Sequence, residues 1–174
     1  TGSLDPFGLT LQVGAGLTTE QVHRQLAPAG LTWPIDLAAK GSSQIGGNLA
    51  TNAGGVRVIR YGPTRQWVTG LEAVLMDGRI LKLGGALHKD NAGPNLAQLM
   101  IGSEGIFGVI TSATLRLTPL PAEIQVLLLG LDRLEVALEL LRSARQQARL
   151  QLQALEYFSR ACLEAVMRVH GLAD

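Results

Sequence analysis

The segment Lys40-Gly41-Ser42-Ser43-Gln44-Ile45-Gly46-Gly47-Asn48-Leu49-Ala50-Thr51-Asn52-Ala53-Gly54-Gly55 carries more chemical information than any other part of this 174-residue chain. Two glycine pairs are interleaved with Ser42, Ser43, Asn48, Thr51 and Asn52. Without Cβ atoms, such a backbone can approach a flat or anionic ligand closely. The hydroxyl and amide side chains add neutral donors suited to carbonyls and phosphates. A second segment, Gly102-Ser103-Glu104-Gly105-Ile106-Phe107-Gly108-Val109-Ile110, repeats the idea with a carboxylate. Glu104 can accept from a ribityl or ribose hydroxyl, and Gly105 and Gly108 again admit close approach. Taken singly, each segment could equally be a glycine-rich packing corner between helix and sheet. Together, with no competing catalytic cluster, they favour a large planar cofactor held mainly by main chain.

The 21 glycines exceed expectation, about 12% against a usual ~7%. Nineteen of them, and all seven prolines, lie at or before Pro121. A Leu/Arg/Gln-rich stretch follows. Pro119-Leu120-Pro121 suits neither a helix interior nor a central strand, so a boundary is expected there. Charged residues are 17% and the net charge is +1, with no block of like charge to suggest a nucleic-acid partner. Apolar runs such as Val126-Leu127-Leu128-Leu129 are far short of a membrane span. The lone Cys162 excludes an intrachain disulfide and a cysteine zinc site. It fits a reducing compartment, the cytoplasm or, in a eukaryote, the mitochondrial matrix.

Periodicity predicts a strand over Leu9–Val13 and a helix from Thr18, with Thr18 and Gln21 forming a capping box. Val22, Leu26 and Ala29 form its apolar face, and Pro28-Ala29-Gly30 ends it. Between residues 37 and 66 a helical pattern holds only briefly, from Ser43 to Asn52. Thr69–Leu75 and Arg79–Leu83 flank Met76-Asp77-Gly78, a hairpin whose Asp-Gly pair suits a type I′ turn. Val109–Leu117 is a further strand. In the last third, Ile124–Leu129 and Leu150–Tyr157 read as strands alternating with helices over Leu134–Ala144 and Ala161–Val169. That β-α-β-α order belongs to a sheet with helices on one face. Its second helix stops at His170-Gly171 with the sheet unfinished, and no signal peptide opens the chain. Both ends are therefore expected to continue in a longer polypeptide.

Other motifs carry less. A strand followed by Gly14-x-Gly16, a helix and then Asp36 imitates a dinucleotide fingerprint, but Thr19 replaces the third glycine. A plain tight turn explains those glycines as well. Ser103 lacks the first glycine of a nucleophile elbow, because Ile101 stands there. His23, His88 and His170 lie far apart without metal-ligand spacing, His23 on an expected exposed helix face and His170 at a helix terminus.

Pro34-Ile35-Asp36, Ala39 to Asn48 and Thr51-Asn52-Ala53-Gly54-Gly55 resemble the flavin-binding core of FAD-linked oxidases. These have the vanillyl-alcohol-oxidase, or PCMH-type, fold. Arg60-Tyr61-Gly62, Gly70-Leu71-Glu72-x-Val74-Leu75-x-Asp77-Gly78, Lys89-Asp90-Asn91-x-Gly93 and Gly102-Ser103-Glu104-Gly105 follow in the family's order. The branch is that of glycolate oxidase, D-lactate dehydrogenase and D-2-hydroxyglutarate dehydrogenase, and the Ala-Lys-Gly-Ser and Lys-Asp-Asn forms look most like the last. Leu155-Glu156-Tyr157-Phe158 resembles the opening of that branch's substrate domain.

The resemblance implies an α+β fold. Residues 1–121 would be the second FAD-binding subdomain, an antiparallel or mixed sheet flanked by helices. Residues 122–174 would begin a ferredoxin-like α/β cap. It implies that Pro34, Asp36, Ser42, Ile45, Gly46, Gly47, Asn48, Asn52, Ala53, Gly54 and Gly55 line the isoalloxazine and ribityl chain. Glu104, Gly105, Gly108, Val109 and Ile110 would hold the sugar and adenine side. The implied reaction is oxidation of a D-2-hydroxy acid to the 2-oxo acid by hydride transfer to flavin, with an electron acceptor completing the cycle. D-lactate dehydrogenase or a glycolate oxidase subunit is the nearer alternative. A non-catalytic nucleotide- or protein-binding module is the distant one. Pro94-Asn95-Leu96 departs from the family's usual Tyr-Asp-Leu. The family's upstream pyrophosphate loop and its downstream histidines, metal ligands and basic residues are not in this chain. No catalytic residue is assigned, and the isolated chain is expected to bind FAD weakly and turn over nothing.

Overall fold

The computed structural model describes residues 2–89, 91, 93–147 and 151–172. It divides into two compact units, Thr1–Gln125 and Val126–Asp174. The first holds strands β1 (Ser3–Asp5), β2 (Thr10–Gly14), β3 (Leu31–Thr32), β4 (Val68–Val74), β5 (Ile80–Gly84), β6 (Val109–Arg116) and β7 (Thr118–Pro119). Five of them form a wholly antiparallel sheet in the order β1-β2-β6-β4-β5. Strands β3 and β7 make a separate two-residue ladder, short enough to accommodate Pro119.

Alternation decides which sheet face is buried. Leu11 opposes Leu115, Val13 opposes Ala113, and Leu71 also opposes Ala113. All are buried, while Gln12, Glu72, Ser112 and Thr114 point the other way with more exposure. Such alternation is the mark of an antiparallel sheet packed on one side. Helix α1 (Thr19–Leu26) adds Val22 and Leu26 to the same core, and α2 (Ile45–Ala50) adds Ile45 and Leu49. The capping box at Thr18 is present, with Gln21 N donating to Thr18 Oγ1 at 3.2 Å and Thr18 N to Gln21 Oε1 at 2.9 Å. Ala29 is exposed and not on the apolar face. The chain tightens to a 3₁₀ turn over Ala27–Ala29, which changes the residue-to-residue rotation and swings Ala29 outward. Gly30, left-handed at φ 67°, then stops the element.

The hairpin forms as expected but with a different turn. Leu75 N donates to Arg79 O at 2.9 Å, and Gly78 N donates to Leu75 O at 2.9 Å. Of Asp77 and Gly78 only the glycine has positive φ, at 85°, whereas a type I′ turn needs both. The loop is thus a type I turn followed by a left-handed glycine. Asp77 accepts from Arg79 N at 3.1 Å instead of adopting the strained conformation itself.

Beyond the expected helix, the 37–66 region also forms α3 (Val58–Tyr61), and a 3₁₀ turn follows at Thr64–Trp67. A further short helix, α4 (Ala97–Met100), precedes the second glycine-rich segment. Residues 90 and 92 of the Lys89–Gly93 motif lie outside the described residues.

The second unit contains α5 (Leu134–Gln146) and α6 (Arg160–His170), the latter capped by Ser159 and closed by left-handed Gly171. The two expected strands are not formed. Ile124–Leu129 and residues 151–157 carry no strand pairing, and Leu150 lies outside the described residues. The β-α-β-α unit is therefore absent among the described residues. The physical reason is that an apolar run marks compatibility with a strand, whereas the strand itself requires a neighbour to receive its hydrogen bonds. Val126, Leu127 and Leu128 accordingly remain 89%, 80% and 81% exposed.

Candidate cofactor site

Glycine-rich loops become a site only if the fold fixes them, and here each is fastened to the core. Thr19 N donates to Ser43 O at 2.9 Å, and Glu20 N donates to Lys40 O at 3.0 Å. The first-turn amides of α1 are thus taken by the chain's own 40–43 loop. That removes the dinucleotide reading of Gly14-x-Gly16, which needs those amides free for a pyrophosphate. The antiparallel placement of β2 between β1 and β6 removes it again. Gly46 has a packing reason of its own, since a Cβ there would lie 2.8 Å from Ala15 Cβ.

A buried polar knot holds α2 against α1. Asn48 Nδ2 donates to Thr19 Oγ1 at 2.7 Å, and Thr19 Oγ1 lies 2.9 Å from Ser43 Oγ. Asn48 and Thr19 are both buried, where an unmet polar group would cost roughly 1–3 kcal/mol. Asn48 therefore serves the fold through its side chain.

The separate glycine-rich segments converge beside α2. Gly102 N donates to Leu49 O and Glu104 N to Ala50 O, both at 2.9 Å. Asn52 and Glu104 are left-handed at φ 51° and 52°, and Gly102 and Gly105 at 84° and 87°. Left-handed backbone at two non-glycine residues on facing segments is the kind of strain found at ligand clamps. The third segment joins through Val56 N, which donates to Asp36 O at 3.0 Å. Asp36 carries its carboxylate into ion pairs with Arg57 Nη2 at 2.9 Å and Lys40 Nζ at 3.5 Å.

Side-chain placement sorts the candidate residues. Ser42, Gly47, Glu104, Gly105 and Val109 are exposed. Asp36, Gly46, Asn52, Ala53, Gly54 and Gly55 are half-buried, and Pro34, Ile45, Asn48, Gly108 and Ile110 are buried. The buried set can meet a ligand through main chain alone. A Cβ built on Gly47 or Gly105 would meet nothing within 4 Å, so bare backbone faces open space at both. Such surfaces fit the flat ring system and polyol of a flavin.

His23, expected on an exposed face, turns inward. Its Nε2 lies 2.9 Å from Trp33 O and 3.1 Å from Ile35 O, bridging the carbonyls on either side of Pro34. Both partners are acceptors, so Nε2 carries the proton. Burial lowers the imidazole pKa below its ordinary 6.5, opposed by the hydrogen bond to Trp33 and by Asp36, and assisted by Lys40 and Arg57. Between the lowered folded value and 6.5 the unfolded chain binds the proton more readily, so stability falls as pH drops through this window. Urea titrations at pH 8 and pH 5 should show a smaller pH-dependent loss for His23→Gln than for the parent. Equal losses would mean that His23 contributes nothing to the pH response. Nothing in the local sequence marks this role, because both partners of the ring are backbone carbonyls.

Residues 2–84 match a family model described as FAD binding domain. The chain is 48% identical to the D-2-hydroxyglutarate dehydrogenase of Xanthomonas citri pv. viticola, across 93% of this chain and 34% of that protein. It is 44% identical to the mitochondrial D-2-hydroxyglutarate dehydrogenase of Bos taurus, across 91% of this chain and 29% of that one. It therefore spans about a third of the length of these curated relatives. A solved alkyldihydroxyacetonephosphate synthase superposes with a TM-score of 0.61 at 26% identity, over 70% of this chain and 21% of the other. Among the described residues no group of three or more His, Cys, Asp or Glu is arranged to hold a metal, and no helix is long and apolar enough to cross a membrane.

Proposed function

We propose that this chain is the flavin-contacting part of an FAD-dependent dehydrogenase that oxidises a D-2-hydroxy acid, foremost D-2-hydroxyglutarate, to its 2-oxo acid. The observation that carries this is that Gly102 and Glu104 dock on α2 while Asp36 is bound by Val56 just beyond it, within and beside a segment that matches an FAD binding domain model. Residues 1–121 serve as the second, PCMH-type FAD-binding subdomain, and residues 122–174 begin the substrate domain, whose ferredoxin-like sheet would need strand partners from the rest of the full-length polypeptide.

In this reading Pro34, Asp36, Ser42, Ile45 to Asn48 and Asn52 to Gly55 border the isoalloxazine and ribityl chain. Glu104, Gly105 and Gly108 to Ile110 border the sugar and adenine side. FAD, when bound, supplies the acceptor for the two electrons that leave the substrate's C–H bond. The chain's own work is to offer main-chain N–H groups from a rigid frame and to keep Cβ atoms out of the ring's way. Glu104, exposed on a fixed left-handed backbone, presents a carboxylate to a sugar or polyol hydroxyl. Proton removal and recognition of the substrate carboxylates belong to residues elsewhere in the protein.

The test is spectroscopic. The purified full-length polypeptide should be yellow, and anaerobic D-2-hydroxyglutarate should bleach its flavin bands. Faster bleaching by D-lactate or glycolate would move the assignment to those oxidations. A colourless protein that takes up no added FAD would overturn the proposal and favour a binding module.

A further inference from the structure

Arg65 stands in the 3₁₀ turn Thr64–Trp67, outside both glycine-rich segments, yet this turn touches each of them. Its neighbour Thr64 is buried and doubly tied to Ala53 O, by N–H at 2.9 Å and by hydroxyl at 2.7 Å. Arg65 N donates to Asn52 Oδ1 at 3.0 Å, which holds that left-handed residue by its side chain. Across the gap, the Arg65 guanidinium Nη2 donates to Ile101 O at 2.8 Å, and Gln98 Nε2 returns a bond to Arg65 O at 3.3 Å. The guanidinium lies so close to Gly102 that a Cβ there would stand 3.0 Å from Nη2. No carboxylate among the described residues pairs with Arg65. Its partners are neutral oxygens, so its task is geometric and not one of charge balance.

We infer that Arg65 is a positioning residue, a strut that fastens the 52–55 segment to the 101–105 segment and so fixes the spacing between them. Lysine carries its nitrogen one bond closer to the backbone than Arg65 Nη2, so it does not reproduce this span. The strut stands on the hydrogen bonds just described; its service to a cofactor rests on the flavin reading above. Loss of the guanidinium should loosen the Ile101–Glu104 stretch, whose Gly102 and Glu104 amides dock on α2. The consequence is a cradle that must be ordered anew each time a ligand enters.

The experiment compares parent and Arg65→Ala in the full-length polypeptide by amide hydrogen exchange and by FAD titration. Exchange at Gly102 and Glu104 should quicken about tenfold or more, and FAD should bind about tenfold more weakly, as for loss of a charged hydrogen bond. Amides of the β4–β6 ladder should keep their protection. Added guanidinium ion should reverse both changes, and methylammonium should not, a rescue that general destabilisation would not show. Unchanged exchange at Gly102 and Glu104 overturns the strut. Faster exchange with unchanged FAD affinity overturns its role toward the cofactor. Faster exchange in a parent that takes no FAD keeps the strut and rejects the flavin reading. If Arg65→Ala does not fold, Arg65→Lys carries the same comparison.

Discussion

Gly55→Ala is expected to destabilise the first unit by about 3 kcal/mol, the sum of a left-handed penalty of ~1–2 and overpacking of ~1–3. Gly55 sits at φ 79°, and a Cβ there would lie only 2.3 Å from the backbone oxygen of Asp36. That oxygen cannot swing aside freely, because Val56 N donates to it at 3.0 Å. The substitution therefore separates two of the three segments that build the candidate site. A urea titration should show the midpoint fall, with FAD uptake lost in parallel. Gly47→Ala is the informative contrast, since its Cβ would meet nothing and alanine is the better helix former by up to ~1 kcal/mol. It should keep or raise stability while weakening FAD binding. Wild-type FAD affinity in Gly47→Ala would show that close approach at this position is not used.

Asp36→Asn is expected to cost about 2 kcal/mol, between a surface pair at ~0–1 and a buried one at ~3–5. The side chains of Asp36 and Arg57 are 15% and 21% exposed and meet at 2.9 Å, so their attraction is only partly screened. Lys40, 45% exposed and 3.5 Å away, should matter less. The double-mutant cycle of Asp36→Asn with Arg57→Met should return a coupling of about 1–2 kcal/mol. A coupling near zero would place the pair with ordinary surface ion pairs. Beyond stability, the pair braces the turn at residues 55–57 against the Pro34–Asp36 segment. Asp36→Asn should thus weaken FAD binding even where the protein remains folded.

Much of this was legible because the deciding signals are local. Thr18 and Gln21 stand three apart and make their capping box with nearby groups, so sequence alone could show it. The apolar Ala113, Leu115 and Leu117, two apart and buried, marked β6 for the same reason, although a register shift opposite Glu72–Ala73 breaks the alternation before Ile110. The turn at residues 76–78 was half legible. Its residues demanded a hairpin, but whether Asp77 or only Gly78 is left-handed depends on strand register. The second unit misled because Ile124–Leu129 has strand-like composition without a strand beside it. His23 and Arg65 were silent for a different reason. Each binds backbone carbonyls far along the chain, and a carbonyl has no residue type to read. The glycine clusters marked the segments of the candidate site, while burial decided that Ile45, Asn48 and Ile110 face the core.

The position of β6 between β2 and β4 also sets a schedule. Strand β2 finds its lateral partner only in β6, roughly a hundred positions later in the chain, and until then has only β1 beside it. At a synthesis rate of ~5–20 residues per second, β2 waits on the order of 5–20 seconds with its apolar face unclosed. The hairpin of β4 and β5 forms meanwhile from neighbours in sequence, but it too lacks its inner partner. Arrival of a single strand then completes both halves at once. Folding of this unit should therefore be late, abrupt and sensitive to any change that delays or weakens β6.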